Sequence, residues 1–262
     1  SLHDALPISM EAEKISSRIL PVNQYFSIFV PLVGWAVFIK MNQIIFPLYA
    51  PYLSMVYKIL AILSVIYGAL GINTCKNLYS VYMMSSIYNN GLILYLLSLG
   101  QEQAVYTAFL CLFCYVAALS GIYAVFYNLK THGQYLSDMA DLSGLAQTRP
   151  HTTAALLVGL FSLIGLPPLI GFLGQFHVSY ELLKTESYWG AGIIFLSLLF
   201  ISKACLEIVK VIYFAPKSKN FDAENKYILL YTMVNSVVVI GLTFNPWNIM
   251  EKIKDMFYVV FL

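Results

Sequence analysis

Ionisable side chains interrupt a long apolar segment near the end of the chain. Lys203, Glu207 and Lys210 follow a spacing of four and three residues, which puts them on one face of a helix. Charged groups inside membrane helices are energetically costly and commonly mark ion or proton pathways. Two interpretations follow: a buried, titratable Lys203–Glu207 pair on a hydrated proton path, or a static pair that helps helices to pack.

A second region with possible chemistry is the glycine-rich stretch around Pro167 and Pro168. Two adjacent prolines remove two helix donors and free the carbonyls one turn earlier. In a bilayer those carbonyls need protein or water as partners. The stretch therefore predicts a discontinuous helix beside a polar cavity, as in many transporters, and a simple proline kink is the alternative. The small residues of this broken helix are Gly165, Gly171 and Gly174.

Other polar residues are candidates for a proton pathway. Gln175 and His177 follow the prolines and point to roughly opposite faces of a helix; an imidazole titrates near neutral pH. Lys58 either lines a path or extends to the head groups. Asn89 and Asn90 either order water or form hydrogen bonds between helices.

These residues belong to a chain whose composition indicates a membrane protein. Of its 262 residues, 60% are hydrophobic and 11% are charged, and the mean hydropathy is +0.75. A soluble domain carries about 25% charged residues, so a soluble enzyme is excluded. The long apolar runs predict an all-α polytopic protein with about seven transmembrane helices. The predicted spans are 19–40, 52–72, 77–98, 103–129, 151–180, 188–214 and 227–244.

The predicted domain organisation has three parts. Residues 1–18 form an N-terminal segment outside the fold, residues 19–249 the membrane domain, and residues 250–262 an interfacial tail. Within the one long polar loop, Leu136–Leu145 is expected to form a short surface helix.

Lysine and arginine placement predicts the orientation. One side of the membrane receives Lys14, Arg18, Lys76, Lys130, Arg149, Lys217, Lys219 and Lys226; the other receives Lys40, Lys184, Lys252 and Lys254. The positive-inside rule places the N-terminus inside and the C-terminus outside.

The sequence offers little for a cofactor or nucleic acid. It has no Gly-rich nucleotide loop and no cysteine pattern for an iron–sulfur cluster. Cys111 and Cys114 lie three residues apart without a second ligand pair, so they are interpreted as small packing residues. The net charge of +2 gives no basis for nucleic-acid binding. No metal site and no catalytic redox site are predicted.

Several motifs resemble one family of membrane proteins. They are DLSGLA at 141–146, Arg149-Pro150, LIGLPPLIGFLGQF at 163–176, Ser85-Ser86-Ile87 with Gly91, and Leu206–Phe214. Together they resemble subunit N of bacterial NADH:quinone oxidoreductase (respiratory complex I), the counterpart of mitochondrial NADH dehydrogenase subunit 2. The resemblance covers roughly residues 21–246, and its most specific motif lies within 141–176.

The resemblance implies a fold of fourteen helices with two inverted five-helix repeats, of which this chain supplies the eighth to the fourteenth. It also implies proton translocation coupled to electron transfer, in a bacterial cytoplasmic or mitochondrial inner membrane. The partners would be other membrane-arm subunits, and partner subunits would hold NAD, FMN, iron–sulfur clusters and quinone. The alternatives are a D-type component of a multisubunit sodium/proton antiporter and a non-transporting structural paralogue.

The chain departs from the family at charged positions. Gln175 replaces a lysine in the broken helix, Pro31 stands where the eighth helix has a lysine, and Glu207 replaces an arginine. The family's Lys-Arg pair before the Ser85 motif becomes Tyr79-Ser80. Because glutamine cannot carry a proton as lysine does, pumping by this chain is expected to be impaired. Lys203 with Glu207 is the hypothetical replacement site.

Overall fold

The computed structural model describes residues 2–136, 138–216, 221–244 and 251, with side chains from residue 31 onward except 47 and 48. The described chain is almost entirely helical, as predicted. The predicted interfacial tail, 250–262, lies outside the described residues apart from Glu251. The α-helices are α1 Leu2–Ile72, α2 Leu78–Ser98, α3 Glu102–Asn128, α4 Leu145–Thr148, α5 Pro150–Ile164, α6 Ile170–Lys184, α7 Tyr188–Phe214 and α8 Lys226–Gly241.

Long apolar helices make this a multi-pass membrane protein. Four described segments are long and apolar enough to cross a bilayer, which needs about 20 residues. Two shorter apolar helices, Pro31–Phe46 and Pro150–Ile164, accompany them. The prediction of a polytopic helical protein is confirmed, while the count of seven spans stays a prediction. The four long segments are Tyr49–Ile72, Glu102–Asn128, Tyr188–Phe214 and Lys226–Phe244.

The first two predicted spans meet at a kink. The helical run α1 continues past Lys40 to Ile72, with one non-helical residue, Tyr49 (φ −128°, ψ 21°). The kink lies between the predicted spans, and the boundaries of the spans stay a prediction. Pro51 follows the bend at the start of the second segment, a position where a helix tolerates the missing proline N–H. The helical run also includes residues 2–18, which the sequence had placed outside the fold.

Helix α3 lies at the centre of the bundle and packs against α1, α2, α5, α6 and α8. Glycines allow close approach between neighbouring helices. A β-carbon at Gly68 would lie 2.7 Å from the backbone nitrogen of Tyr88, and one at Gly91 would lie 2.9 Å from that of Val65. Since real β-carbons do not come so close, glycine is required for the α1–α2 contact.

The polar loop between α3 and α5 differs from the prediction. Leu136–Leu145 does not form one surface helix: within it lies a short 3₁₀ helix, Met139–Leu142, and α4 begins only at Leu145. A hairpin of Lys130–Thr131 (β1) and Gln134–Tyr135 (β2) precedes it. Gly144 adopts a left-handed φ of +74°, which ends the 3₁₀ helix and starts α4 in a new direction.

Candidate functional site

The predicted discontinuous helix is present. Helix α5 ends at Ile164, Gly165 adopts a left-handed φ of +81°, and α6 begins at Ile170. Each half contains 15 residues, so the break lies near the middle of the combined span. Pro167 and Pro168, joined by a cis peptide bond, are exposed at the surface of the chain.

Small residues fit the two halves of the broken helix together and onto α3. The backbone N–H of Gly171 donates to Ser162 Oγ at 3.1 Å, so a side chain of α5 serves a donor at the start of α6. A β-carbon at Gly174 would lie 3.5 Å from Cβ of Cys114 and 3.6 Å from Cα of Cys111. These are ordinary van der Waals distances, so α6 packs onto α3 at Gly174 with room for no more than a small side chain.

A small cavity lies between the broken helix and α2 and α3. Its volume is about 20 Å³, enough for one water molecule. The residues around it come from α2, α3, α5 and α6, so the cavity exists only because the four helices meet at the break. Its polar and sulfur-containing lining residues are Asn89, Cys111, Cys114, Tyr115, Ser162 and Gln175.

The hydrogen bonds around the cavity leave two polar atoms without a partner among the described residues. Cys111 Sγ donates to Asn89 Oδ1 at 3.5 Å, and the hydroxyls of Tyr115 and Ser85 lie 3.1 Å apart. Asn89 Nδ2 and Gln175 Oε1 are buried, and neither has a protein partner there. Both amides therefore lie in the tightly packed region around the cavity, where α2 and α6 meet α3.

The structure separates the remaining candidates on α2 and α6. Asn90 does not line the cavity: its Oδ1 accepts a hydrogen bond of 2.8 Å from Trp35 Nε1 and so ties α1 to α2. His177 is half-buried, with its ring edge-on to Phe176 at 5.7 Å, and is also not part of the cavity lining. Of the predicted set, Asn89, Gln175, Gly171 and Gly174 meet at one place.

Lys203 and Glu207 are close together but are not buried within this chain. Lys203 Nζ lies 3.8 Å from Glu207 Oε1, but the two side chains are 64% and 53% exposed on the outer face of α7. Asn73, directly after α1, donates to the carbonyl of Phe200 at 2.9 Å, so the end of α1 lies close to the middle of α7.

Lys58 lies on another part of the bundle. It is half-buried in α1 and does not contribute to the cavity lining. The choice between an extension toward the head groups and a path residue stays a prediction.

Sequence reasoning missed a buried carboxyl group. Glu181 is only 1% exposed, and its Oε2 has no hydrogen-bond partner among the described residues. It lies one residue beyond the predicted span 151–180, which is why it was overlooked. Its spacing of four residues from His177 puts both on one face of α6, and this spacing was visible in the sequence.

A second missed arrangement joins the two polar loops on the side of the bundle where α5 begins. Arg149, 8% exposed, places Nε 3.5 Å from Glu224 Oε1 and its guanidinium 5.4 Å from the ring of Phe221. Thr152 Oγ1 donates to the same carboxylate oxygen. Burial lowers the pKa of Arg149, and the carboxylates of Glu224 and Asp222 oppose that shift. These contacts hold the first turn of α5 against the segment before α8.

No group of three or more potential metal ligands occurs within the described ranges. The polar cavity is therefore the strongest candidate site. Its lining consists of amides, hydroxyls and thiols, which can bind water or a small polar group; it contains no carboxylate or amine.

Comparison with known proteins finds similar membrane proteins. Residues 20–201 match the family described as NADH:quinone oxidoreductase/Mrp antiporter, transmembrane domain. The NADH-quinone oxidoreductase subunit N of Pelagibacter ubique is 29% identical over 229 residues, covering 85% of this chain and 47% of that protein. Its namesake in Rhodospirillum rubrum is 26% identical over 241 residues, covering 92% and 50%. The chain thus spans about half the length of these relatives.

Solved structures show the same fold. A chain of an archaeal membrane-bound sulfane sulfur reductase superposes with a TM-score of 0.81 at 18% identity, covering 92% of this chain and 50% of that one. A chain of the Mrp complex from a Dietzia species gives 0.77 at 16% identity, covering 88% and 52%. A chain of respiratory complex I from Thermus thermophilus gives 0.67 at 22% identity, covering 75% and 45%.

Proposed function

Since the chain belongs to the NADH:quinone oxidoreductase/Mrp antiporter transmembrane family, we propose that it acts in the membrane arm of a proton-translocating NADH:quinone oxidoreductase. The observation that carries this proposal is the broken helix α5–α6, which packs on α3 around a polar cavity. A broken membrane helix beside a polar cavity is the arrangement that transporters use for their substrate ions. The relatives named subunit N favour this oxidoreductase over other members of the family.

The redox chemistry takes place in partner subunits under this proposal. NAD, FMN, iron–sulfur clusters and quinone bind there, while this chain supplies a polar region within the bilayer. Its partners are the other membrane-arm subunits. The energy of electron transfer reaches this chain through contacts with them.

The cavity itself is not suited to storing a proton. Gln175 occupies the position where the family resemblance implies a lysine, and an amide has no protonation equilibrium in the physiological range. We therefore infer that proton movement through this chain is impaired or follows another set of groups. Among the ionisable residues of α6, His177 and the buried Glu181 share one helix face and are the pair that we propose for such a route.

The orientation forms part of the proposal. The excess of lysine and arginine on the side of Lys130 and Arg149 favours that side as the inside, with the N-terminus there and the C-terminus outside. The membrane would be a bacterial cytoplasmic membrane or a mitochondrial inner membrane. Labelling of single cysteines introduced at exposed Gly133 and Trp189, with an impermeant reagent on intact cells, tests this assignment. The cysteine at residue 189 should react and the one at residue 133 should not.

Two alternative functions have a specific observation in their favour. The likeness to a chain of the Dietzia Mrp complex supports the role of a D-type component in a multisubunit sodium/proton antiporter. The neutral Gln175 in the cavity supports a non-transporting structural paralogue. The two differ in whether any ion crosses the membrane through this chain.

Purification of the tagged full chain from its native membrane in mild detergent distinguishes the three functions. We expect NADH-oxidising subunits to co-purify, and deletion of the chain to lower NADH:quinone activity in membrane vesicles. Co-purification with cation/proton exchange activity and without NADH oxidation would instead establish the antiporter. A complex with NADH oxidation in which deletion changes assembly but not protons moved per NADH would establish the structural role.

A further inference from the structure

Glu181, near the end of α6, carries a buried carboxyl group that the described residues leave without a partner. The residue is 1% exposed, and its buried Oε2 accepts no hydrogen bond there. No lysine, arginine or histidine among the described residues forms an ion pair with it. Thr185 Oγ1 donates to the backbone carbonyl of Glu181 at 2.8 Å, so this neighbouring hydroxyl does not serve the carboxyl group.

An ionised carboxylate would be costly at this place. A charge that is removed from water needs an opposite charge or several hydrogen bonds in exchange. Lys184, three residues further on, is exposed and acts on the carboxyl group only through its electrostatic field. His177, one turn earlier on the same face of α6, is half-buried and forms no ion pair with it. A neutral carboxylic acid avoids most of this cost, because burial penalises the charged form.

We propose that Glu181 is a proton-binding site, whose carboxyl group holds a proton at neutral pH. One proton from the aqueous phase forms an O–H bond on the carboxylate and cancels its charge, and nothing is oxidised or reduced. A hard metal cation is the other positive charge that a carboxylate could bind. Such ions take about six oxygen ligands, and no group of three or more potential ligands occurs among the described residues. The surroundings of Glu181 therefore favour a proton over a metal ion.

This site is separate from the cavity at the helix break. Glu181 lies six residues after Gln175, which corresponds to about 9 Å along α6 and about 120° around its axis, and it does not line the cavity. It is thus a second position on the same half of the broken helix. Within the proposed function, Glu181 is the group that carries a proton on the route through α6. That use rests on the proposed function, whereas the bound proton itself does not.

The infrared spectrum of the complex, purified through the tagged full chain, tests the protonation state directly. The C=O group of a protonated carboxyl absorbs above the main amide band, where an ionised carboxylate does not, and the absorption shifts in D₂O. At neutral pH we expect Glu181→Gln to lose the intensity of one carboxyl group from this region. The amount of assembled complex should not change, because an amide matches a neutral carboxylic acid in shape and charge.

Glu186→Gln is the matched control. Glu186 lies five residues further along the chain and is exposed, and an exposed carboxylate is hydrated and stays ionised at neutral pH. Its replacement should therefore leave the carboxyl region of the spectrum unchanged. Spectra in sodium and in choline buffers distinguish a bound proton from a bound metal ion, and the absorption assigned to Glu181 should be the same in both.

Three outcomes would overturn the proposal. An unchanged carboxyl region in the assembled Glu181→Gln complex shows that Glu181 is ionised. An absorption that appears only when choline replaces sodium shows a metal ion in place of the proton. Failure of Glu181→Gln to assemble shows that the carboxylate pairs with a cation, for which an amide cannot substitute. None of these results bears on whether NADH-oxidising subunits co-purify with the unmodified chain, so this inference and the proposed function fail separately.

Discussion

The backbone of Gly171 lies directly against the carbonyl of Ser162, so closely that a β-carbon on residue 171 would overlap the carbonyl oxygen. Its N–H also donates to the hydroxyl of the same serine. Helix ends leave backbone groups without partners inside the helix. Here Ser162 and Gly171 join the end of α5 to the start of α6. This contact sets the distance between the two halves of the broken helix, and the cavity beside them depends on it.

Replacement of Gly171 by alanine should therefore displace α6 from α5. Because the neighbouring group is backbone and cannot rotate away, we expect a loss of roughly 3 kcal/mol in stability, at the upper end for overpacking. The thermal unfolding of the detergent-solubilised complex measures this. Gly192→Ala is the matched control, since nothing lies within 4 Å of a β-carbon there, and an equal effect of both would contradict the assignment.

Arg149→Met should destabilise the loop side of the bundle. The substitution leaves Glu224 partly buried without its cation, and breaking such a pair costs about 3 kcal/mol or more. Glu224→Gln should cost less, because an amide oxygen still accepts from Thr152. Unfolding temperatures of the two variants and of the double variant give the coupling energy, and strict additivity would show that the two residues act independently.

Gln175→Lys should increase proton movement if the cavity retains the function implied by the family resemblance. An amine at this position restores a titratable group beside Asn89. The measurement is the pH gradient formed per NADH oxidised in vesicles, with Gln175→Met as the neutral control. A gradient unchanged by lysine, in a complex that still assembles, would favour the structural role.

His177→Gln and Glu181→Gln should lower proton movement if α6 provides a replacement route. Each change removes a titratable group while keeping the approximate shape, so assembly should remain intact. The same vesicle assay measures the effect, and native gels measure the amount of assembled complex. Full proton movement in the double variant would exclude the route through α6.

Asp222→Ala should loosen the hairpin between β1 and β2. The two carboxylate oxygens accept from the backbone N–H groups of His132 at 3.0 Å and Gly133 at 2.7 Å. Loss of these bonds should accelerate amide hydrogen exchange at both residues roughly tenfold, equivalent to about 1.4 kcal/mol. Asp222→Asn keeps one acceptor, so its exchange rates should lie between those of the unmodified protein and of Asp222→Ala. Unchanged exchange in both variants would show that the carboxylate does not hold the turn.

The sequence was sufficient for the helical class and for the broken helix, because both follow from local properties. A pair of prolines lacks backbone N–H donors in any fold. Apolar runs of about 20 residues are typical of membrane-spanning helices. Asn89 and Gln175 were recognised as polar groups in an apolar setting by the same logic. Their meeting in one cavity could not be read from the sequence, because it depends on how α2 and α6 pack on α3.

The errors have a common physical origin. Lys203 was judged by its distance from the ends of its own helix, whereas its surroundings depend on which neighbouring helices cover that face of α7. Burial of the Lys203–Glu207 pair was inferred from its cost in lipid, although one helix face cannot show which side turns inward. Glu181 was missed because a span boundary stopped one residue short of it.

The length of α7 has a consequence for how the protein fits its bilayer. Its 27 residues extend about 40 Å, roughly 10 Å more than the hydrocarbon thickness of a typical membrane. A helix of this length fits such a membrane by tilting or by extending beyond the apolar layer, and a thicker membrane should reduce this hydrophobic mismatch.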